Sequence, residues 1–163
     1  MSRPAHSLSD LFDQHAQHVY RRALRLMGSA ADAEEATQEV FIRAMPELAR
    51  LDEEEPVRWL YRVTTNYCLN QLRDRKRRRE ILAERHGELA GRVGGERADA
   101  QMTLRALLAN ADPQQATCAA YVYFDDLTYT EVAEVMGVSR RTISNLMDRF
   151  RAWAREQLEG ESP

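Results

Sequence analysis

Tyr129-Thr-Glu-Val-Ala-Glu-Val-Met-Gly-Val-Ser-Arg-Arg-Thr-Ile-Ser-Asn-Leu146 reads as two helices joined by a tight turn. Val132, Met136, Val138, Ile143 and Leu146 are apolar, and Ala133 is small enough to let two helices cross closely. Gly137 stands where the chain must turn, and glycine reaches positive φ without a Cβ clash. Ser139 is a natural N-cap for the helix that follows, which opens with Arg140, Arg141 and Thr142. The spacing predicts a helix-turn-helix whose second helix meets a DNA major groove N-terminus first. The unpaired N–H groups there also favour phosphate. An αα-hairpin inside a helical domain is the plainer reading of the same outline.

The chain has 163 residues, room for one average domain or two small helical ones. Only seven glycines and five prolines interrupt a sequence rich in Ala, Leu, Arg and Glu, which predicts a mostly helical protein. A formal net charge of −3 argues for no partner, but its distribution does. Arg73-Asp-Arg-Lys-Arg-Arg-Arg79 is a dense basic block, and Asp52-Glu-Glu-Glu55 an acidic one. A nucleic-acid binder needs a local positive face, not a positive total. Cys68 and Cys118 each sit in an apolar helical pattern, as buried free thiols do, and the sequence has no CxxC and no zinc spacing. No apolar run reaches membrane-spanning length and no signal-peptide core is visible, so no membrane insertion and a cytoplasmic location are expected.

Outward from the quoted stretch, apolar residues recur at helical spacing. Phe12, Ala16, Val19, Tyr20, Ala23, Leu24 and Met27 predict a first helix from about Ser9 to Met27, ended by Gly28. Ser29 caps the next, with Asp32 three residues on as in a capping box. Ala33, Ala36, Val40 and Ala44 form its inner face, and Pro46 ends it. Pro56 suits the first turn of a third helix, which carries Trp59, Leu60, Val63, Tyr67, Leu69 and Leu72 into the basic block. From about Arg79 to Asp99 the pattern dissolves among Gly87, Gly91, Gly94, Gly95 and many charges, which reads as a linker with a helical start near Glu80 to Arg85. Met102, Leu104, Leu107 and Leu108 predict a helix from near Ala100. Asp112-Pro113 starts another through Ala119, Ala120, Val122 and Tyr123, and the helix-turn-helix ends near Leu158. The expected fold is all-α: two small helical bundles, residues 1–80 and 100–163, joined by a flexible linker over 81–99.

Three features in order then resemble a family. Asp32-Ala-Glu-Glu-Ala-Thr-Gln-Glu-Val-Phe41 looks like an Asp-Ala-Glu-Asp-x-x-Gln-Glu-x-Phe motif. Trp59-Leu-Tyr-Arg-Val-Thr-Thr-Asn66, running on to Leu72-Arg-Asp-Arg-Lys-Arg-Arg78, is similar to a Trp-Leu-x-x-Ile-Ala-x-Asn helix with a basic end. The helix-turn-helix is the third. Together they resemble the extracytoplasmic-function type of bacterial RNA polymerase sigma factor, of the sigma-70 superfamily, over nearly the whole chain.

The resemblance implies a protein with no catalysis, cofactor or metal of its own, which lends promoter specificity to core RNA polymerase and helps melt the promoter. Asp32, Glu34, Glu35, Gln38 and Glu39 would dock on the clamp helices of the polymerase's largest subunit. An acidic and amide face suits a basic coiled coil; out of context the same face reads as merely solvated. The third helix would meet the minus-ten element, where an unstacked base must be held. Trp59 and Tyr61 would stack beside Arg58 and Arg62, with polar contacts from Thr65, Asn66 and Asn70, and part of the base pocket from the loop at Leu51 to Val57. A lone Trp in an amphipathic helix also reads as core. Arg73, Arg75, Lys76 and Arg77 would contact phosphate. Upstream, Ser139, Arg140, Arg141, Thr142, Ser144, Asn145 and Arg149 would read the minus-thirty-five element, with the arginines paired to guanine and Arg149 and Arg151 nearer the backbone. An anti-sigma protein covering both units is usual for the resembled family.

Two departures from the family pattern bear on promoter sequence. Ala111-Asp-Pro-Gln-Gln-Ala-Thr117 lacks the basic residue that often opens the last unit, and Ser144, Asn145, Leu146, Met147 and Asp148 occupy positions that often carry Lys or Arg. Two other classes compete. A helix-turn-helix regulator that never joins polymerase would bind duplex DNA alone and leave the first motif without a role. A metal protein or enzyme would have to build on His15-x-x-His18 with Asp10 and Asp13, without a partner Glu-x-x-His, a Gly-rich phosphate loop or a nucleophile triad.

Overall fold

A computed structural model describes residues 7–51, 56–86 and 96–160. Among these residues every regular element is helical and none is a strand. The chain divides into two compact units, Met1–Cys68 and Leu69–Pro163.

In the first unit, α1 (Leu8–Met27) starts on a capping box. Ser7 Oγ accepts from the Asp10 N–H, and the Asp10 carboxylate accepts from the Ser7 N–H at 3.1 Å. Gly28 ends it at φ 73°, returning its N–H to the Leu24 carbonyl. Ser29 caps α2 (Ala30–Ala44) through the Asp32 N–H, and a short 3-10 turn at Met45–Glu47 absorbs Pro46. α3 (Pro56–His86) follows. Ala23, Ala33 and Ala36 are fully buried where α1 and α2 pack, and their small side chains permit the close approach. Leu11, Val19, Val40, Phe41, Ala44, Leu51 and Leu60 form the core, with Trp59 and Val63 against it. Each buried aliphatic side chain there contributes about 1.5–3 kcal/mol.

Val19, Ala23 and Met27 are buried in α1 as the spacing predicts, but the stripe is wider on one side than expected. Leu11, Val19, Arg22, Ala23 and Leu26 face inward, while Phe12 and Leu24 are exposed. Arg22, a charged residue, is buried among them and could not be placed there by apolar periodicity.

In the second unit, α4 (Glu96–Asn110), α5 (Pro113–Asp125), α6 (Tyr129–Met136) and α7 (Arg140–Gly160) follow one another. α5 packs against the other three, and α6 against α7. Asp112 caps α5, its Oδ1 accepting from Gln114 and Gln115 N–H at 3.0 and 3.3 Å, with Pro113 in the first turn. Leu108, Ala116, Cys118, Tyr121, Val132, Ile143, Met147 and Phe150 are buried. Met102 and Tyr123, expected inside, are 48% and 42% exposed.

The helical start expected near Glu80 to Arg85 is present, and the helix expected from near Ala100 begins earlier. Residues 81–86 are helical, and α4 begins at Glu96. The run Glu80-Ile-Leu-Ala-Glu-Arg85 consists of good helix formers, and a Lys76–Glu80 ion pair at 3.1 Å (i, i+4) spans the expected boundary. A solvated helix needs no apolar stripe, so the loss of periodicity did not mark its end. Residues 87–95 lie outside the described residues, as do Asp52–Glu55. The division into units also falls inside α3 rather than at residue 80.

Cys68 and Cys118 are buried and form no disulfide, as the sequence suggested. Burial pushes the Cys118 thiol from 9.0 up to about 11. The folded state therefore holds this proton more tightly than the unfolded chain. Its contribution to stability is intact below about pH 9 and is lost as the pH rises towards 11. Denaturant midpoints are expected to fall across that window more steeply for the wild-type chain than for Cys118→Ala. Parallel curves would contradict this.

Candidate nucleic-acid interface and docking face

The helix-turn-helix is built by local caps. Thr128 and Glu131 form a capping box at α6: Glu131 Oε2 accepts from the Thr128 N–H at 2.7 Å, and Thr128 Oγ1 from the Glu131 N–H at 3.2 Å. Gly137 turns the chain at φ 68°. A Cβ added at Gly137 would meet nothing within 4 Å, so only backbone strain opposes a larger residue. Gly137→Ala is expected to destabilise the fold by about 1–2 kcal/mol, measured by denaturant unfolding. An unchanged midpoint would show that the turn relaxes at no cost.

Ser139 caps α7, its Oγ accepting from the Thr142 N–H at 3.1 Å and lying 2.9 Å from Thr142 Oγ1. Both hydroxyls are thus engaged with each other before any DNA arrives. Ile143, Leu146, Met147, Phe150 and Ala154 turn into the unit. That leaves Arg140, Arg141, Asn145 and Arg149 exposed and Ser144 half-buried. Arg141, Ser144, Asn145 and Asp148 share one stripe by their three- and four-residue spacing, with Arg140 and Arg149 towards its edges. Asp148 places a carboxylate in the middle of that stripe, where phosphate would be repelled. Arg151 is held elsewhere: its Nε donates to Tyr123 Oη at 3.3 Å, and that bond raises its pKa further.

On the first-unit part of α3, Arg58, Arg62 and Asn66 are exposed at four-residue spacing, one continuous stripe. Trp59 is half-buried against the core, in keeping with the plainer reading of a lone Trp. Tyr61 is half-buried too, and the Arg22 guanidinium carbon lies 3.6 Å from its ring centroid. Residues two apart on a helix point nearly opposite ways, so Trp59 and Tyr61 cannot stack on one base together. Thr65 is a correction. It is 0% exposed and its hydroxyl is committed to Arg22 and to the Tyr61 carbonyl, so it is not a surface contact. Its neighbour Asn66 is the exposed one; the i, i+4 spacing from Tyr61 to Thr65 points inward.

On the second-unit part of α3, Asn70, Asp74 and Arg77 are exposed, and Arg73, Arg75 and Lys76 half-buried. Arg73 Nη1 donates to Asn70 Oδ1 at 3.4 Å, and Lys76 is paired with Glu80, so these two cations are partly committed already.

On α2, Glu34, Glu35 and Gln38 are exposed, and Asp32 and Glu39 half-buried. Glu39 pairs with Arg43 at 3.0 Å, and Arg43 reaches over the Tyr67 ring at 5.1 Å. Tyr67 has its pKa raised by burial and by the Glu35 and Glu39 carboxylates. The same exposed stripe runs on to Ile42 and Met45, 54% and 48% exposed. Sequence reading missed both. The signal was available: apolar residues at i+4 and i+7 from Gln38, off the inner face marked by Ala36, Val40 and Ala44.

His15 and His18 gain no third ligand, since no group of three or more metal-ligating side chains occurs among the described residues. No helix there is long and apolar enough to cross a membrane.

Two helical units, one carrying a capped helix-turn-helix and the other exposed basic and acidic helix faces, fit a nucleic-acid-binding class of protein. The family model for sigma-70 region 2 matches residues 11–78, and that for sigma-70 region 4 matches residues 107–151. The chain belongs to the sigma-70 family, in its extracytoplasmic-function (ECF) type. It is 32% identical over 169 residues to the ECF RNA polymerase sigma factor SigE of Mycolicibacterium smegmatis, an alignment covering 96% of this chain and 63% of SigE. It is 25% identical over 166 residues to the ECF RNA polymerase sigma factor SigW of Bacillus subtilis, covering 93% and 89%. Its fold is similar to that of CnrH, solved in complex with the cytosolic domain of CnrY, with a TM-score of 0.56 and 20% identity over 95% of this chain and 89% of CnrH.

Proposed function

We propose that this chain is a promoter-specificity subunit that binds bacterial core RNA polymerase, recognises minus-ten and minus-thirty-five elements and helps melt the promoter. The observation that carries this reading is the presence, in order in one chain, of a region 2 match over residues 11–78 and a region 4 match over 107–151. A lone helix-turn-helix regulator has no use for the first.

Physical chemistry supports the roles. The exposed stripe of Glu34, Glu35, Gln38, Ile42 and Met45 combines charge for steering with apolar area for affinity, as a docking face requires. Arg58, Arg62, Asn66 and the half-buried rings of Trp59 and Tyr61 suit single-stranded DNA. Asn70, Arg73, Arg75, Lys76 and Arg77 suit phosphate. Arg140 and Arg141, with Ser144 and Asn145 one turn on, suit base edges in a major groove. We assign residues 1–80 to polymerase docking and the minus-ten element and residues 100–163 to the minus-thirty-five element. We propose a protein without catalysis of its own, acting in the cytoplasm and held by an anti-sigma partner, by analogy with the similarly folded sigma factor RpoE of Bartonella quintana, solved in complex with the anti-sigma factor NepR.

The test is assembly. Purified chain mixed with sigma-free core polymerase is expected to co-elute as one complex on size exclusion, without DNA. Separate elution, with the chain binding duplex DNA by itself, would make it an ordinary helix-turn-helix regulator.

A further inference from the structure

We infer that Arg22, on α1, is the positioning residue for the Tyr61 ring on the face of α3 assigned above to the minus-ten element, an inference that rests on that assignment. Arg22 is 4% exposed, so a full charge enters the interior of the first unit. Such burial is costly unless the charge is hydrogen-bonded and paired. Thr65 and Tyr61 supply contacts that hold it. Nε and Nη2 both donate to Thr65 Oγ1, at 2.9 and 2.6 Å. That hydroxyl gives its proton to the Tyr61 carbonyl oxygen at 2.8 Å. A hydroxyl has one proton and two lone pairs, so the whole capacity of Thr65 is used. The guanidinium carbon then lies 3.6 Å from the Tyr61 ring centroid, well within cation–π range. One arginine thus grips both the turn from Tyr61 to Thr65 and the ring at its start.

The consequence is preorganisation. A half-exposed tyrosine left to itself samples several rotamers, and ordering it on contact with an unstacked base subtracts from binding. With Arg22 over the ring, that ordering is complete on folding. Lysine cannot substitute, because a point charge on a flexible stem cannot direct two fixed N–H groups at the Thr65 hydroxyl while keeping a delocalised cation over the ring. The cavity beside this cluster, bordered by His15, His18, Val57 and Leu60, is about 20 Å³. That is room for about one water and not for a base, so a base would meet Tyr61 from the solvent side.

The test uses holoenzyme reconstituted from the full chain and core polymerase. It compares Arg22→Lys, Thr65→Val, Thr65→Ser, Tyr61→Ala and the double variant Arg22→Lys/Tyr61→Ala. Two quantities are read: affinity for core, and the rate of promoter opening followed by 2-aminopurine fluorescence in the minus-ten element. Arg22→Lys and Thr65→Val are expected to slow opening about tenfold, the scale of losing one ordered stacking platform, with core affinity unchanged. Thr65→Ser, which keeps the hydroxyl, is expected to open promoters like the wild type. Arg22→Lys is expected to add nothing once Tyr61 is alanine, because a positioning residue acts only through what it positions. If Tyr61→Ala slows opening but Arg22→Lys and Thr65→Val do not, the inference fails. It also fails if Arg22→Lys slows opening equally with and without the ring, which would mark a merely structural role. Should Arg22→Lys not fold, as a thermal melt would reveal, Thr65→Val made with and without Tyr61→Ala gives the same comparison. If Tyr61→Ala alone opens promoters normally, the minus-ten assignment of this face falls, and the positioning role falls with it.

Discussion

Replacing Glu35, Gln38 and Ile42 together with alanine is expected to weaken assembly with core polymerase by about tenfold or more, before any DNA is present. All three are exposed on one stripe of α2, and none supports the core formed by Leu11, Val40, Phe41 and Leu60. The melting curve of the free chain should therefore be unchanged, which separates docking from folding. The components are distinguishable. Loss of Glu35 should act mainly through the association rate and fade at high salt, since exposed charges are screened. Loss of Ile42 should act through dissociation and be insensitive to salt. Retained affinity in the triple variant, measured by fluorescence anisotropy, would remove the docking claim for this face.

Replacing Arg140 and Arg141 with alanine is expected to lower discrimination between a cognate and a scrambled minus-thirty-five element by about tenfold or more, with assembly intact. Both stand exposed in the first turn of α7, beside the Ser139 cap. A lysine at either position keeps the charge but loses the two-pronged donor geometry. If Arg141 reads a base, Arg141→Lys should lose discrimination while the salt dependence of DNA binding is kept. If it only neutralises phosphate, lysine should restore both. Equal loss of polymerase binding in the alanine variant would show that this helix had been misassigned. Asp148 sharpens the test, because it leaves the middle of the stripe unsuited to phosphate and places more of the specificity on the first turn.

These expectations depend on parts of the fold that differ in how readily the sequence reveals them. Gly137, Gly28 and Pro113 act through their own backbone geometry, and Ser139 and Asp112 through side-chain oxygens that cap the next N–H groups, so the turns and helix starts they control are readable residue by residue. The extension of α3 to His86 is held by helix propensity and an exposed Lys76–Glu80 pair, which apolar periodicity does not detect. Phe12, Leu24, Met102 and Tyr123 fit helical spacing yet lie at the rims, because spacing gives a stripe but not which residue is at its centre. Arg22 and Thr65 were the least legible. A charge in an apolar stripe reads as a surface residue until a partner 43 positions away is known to face it. The acidic residues of α2 assigned to docking were legible through the resemblance, whereas Ile42 and Met45 emerged only once α2 was seen to leave them uncovered.

The central claim is that this one chain confers promoter choice on a polymerase that lacks it. Run-off transcription from a library of genomic fragments tests this most directly, with core polymerase alone and with core plus the chain. The account predicts no specific transcripts from core alone. With the chain added, it predicts transcripts whose start sites share a two-part upstream element, lost with the Arg140 and Arg141 alanine variant. Transcripts unchanged by adding the chain, or a chain that binds duplex DNA yet never alters initiation by core, would contradict it.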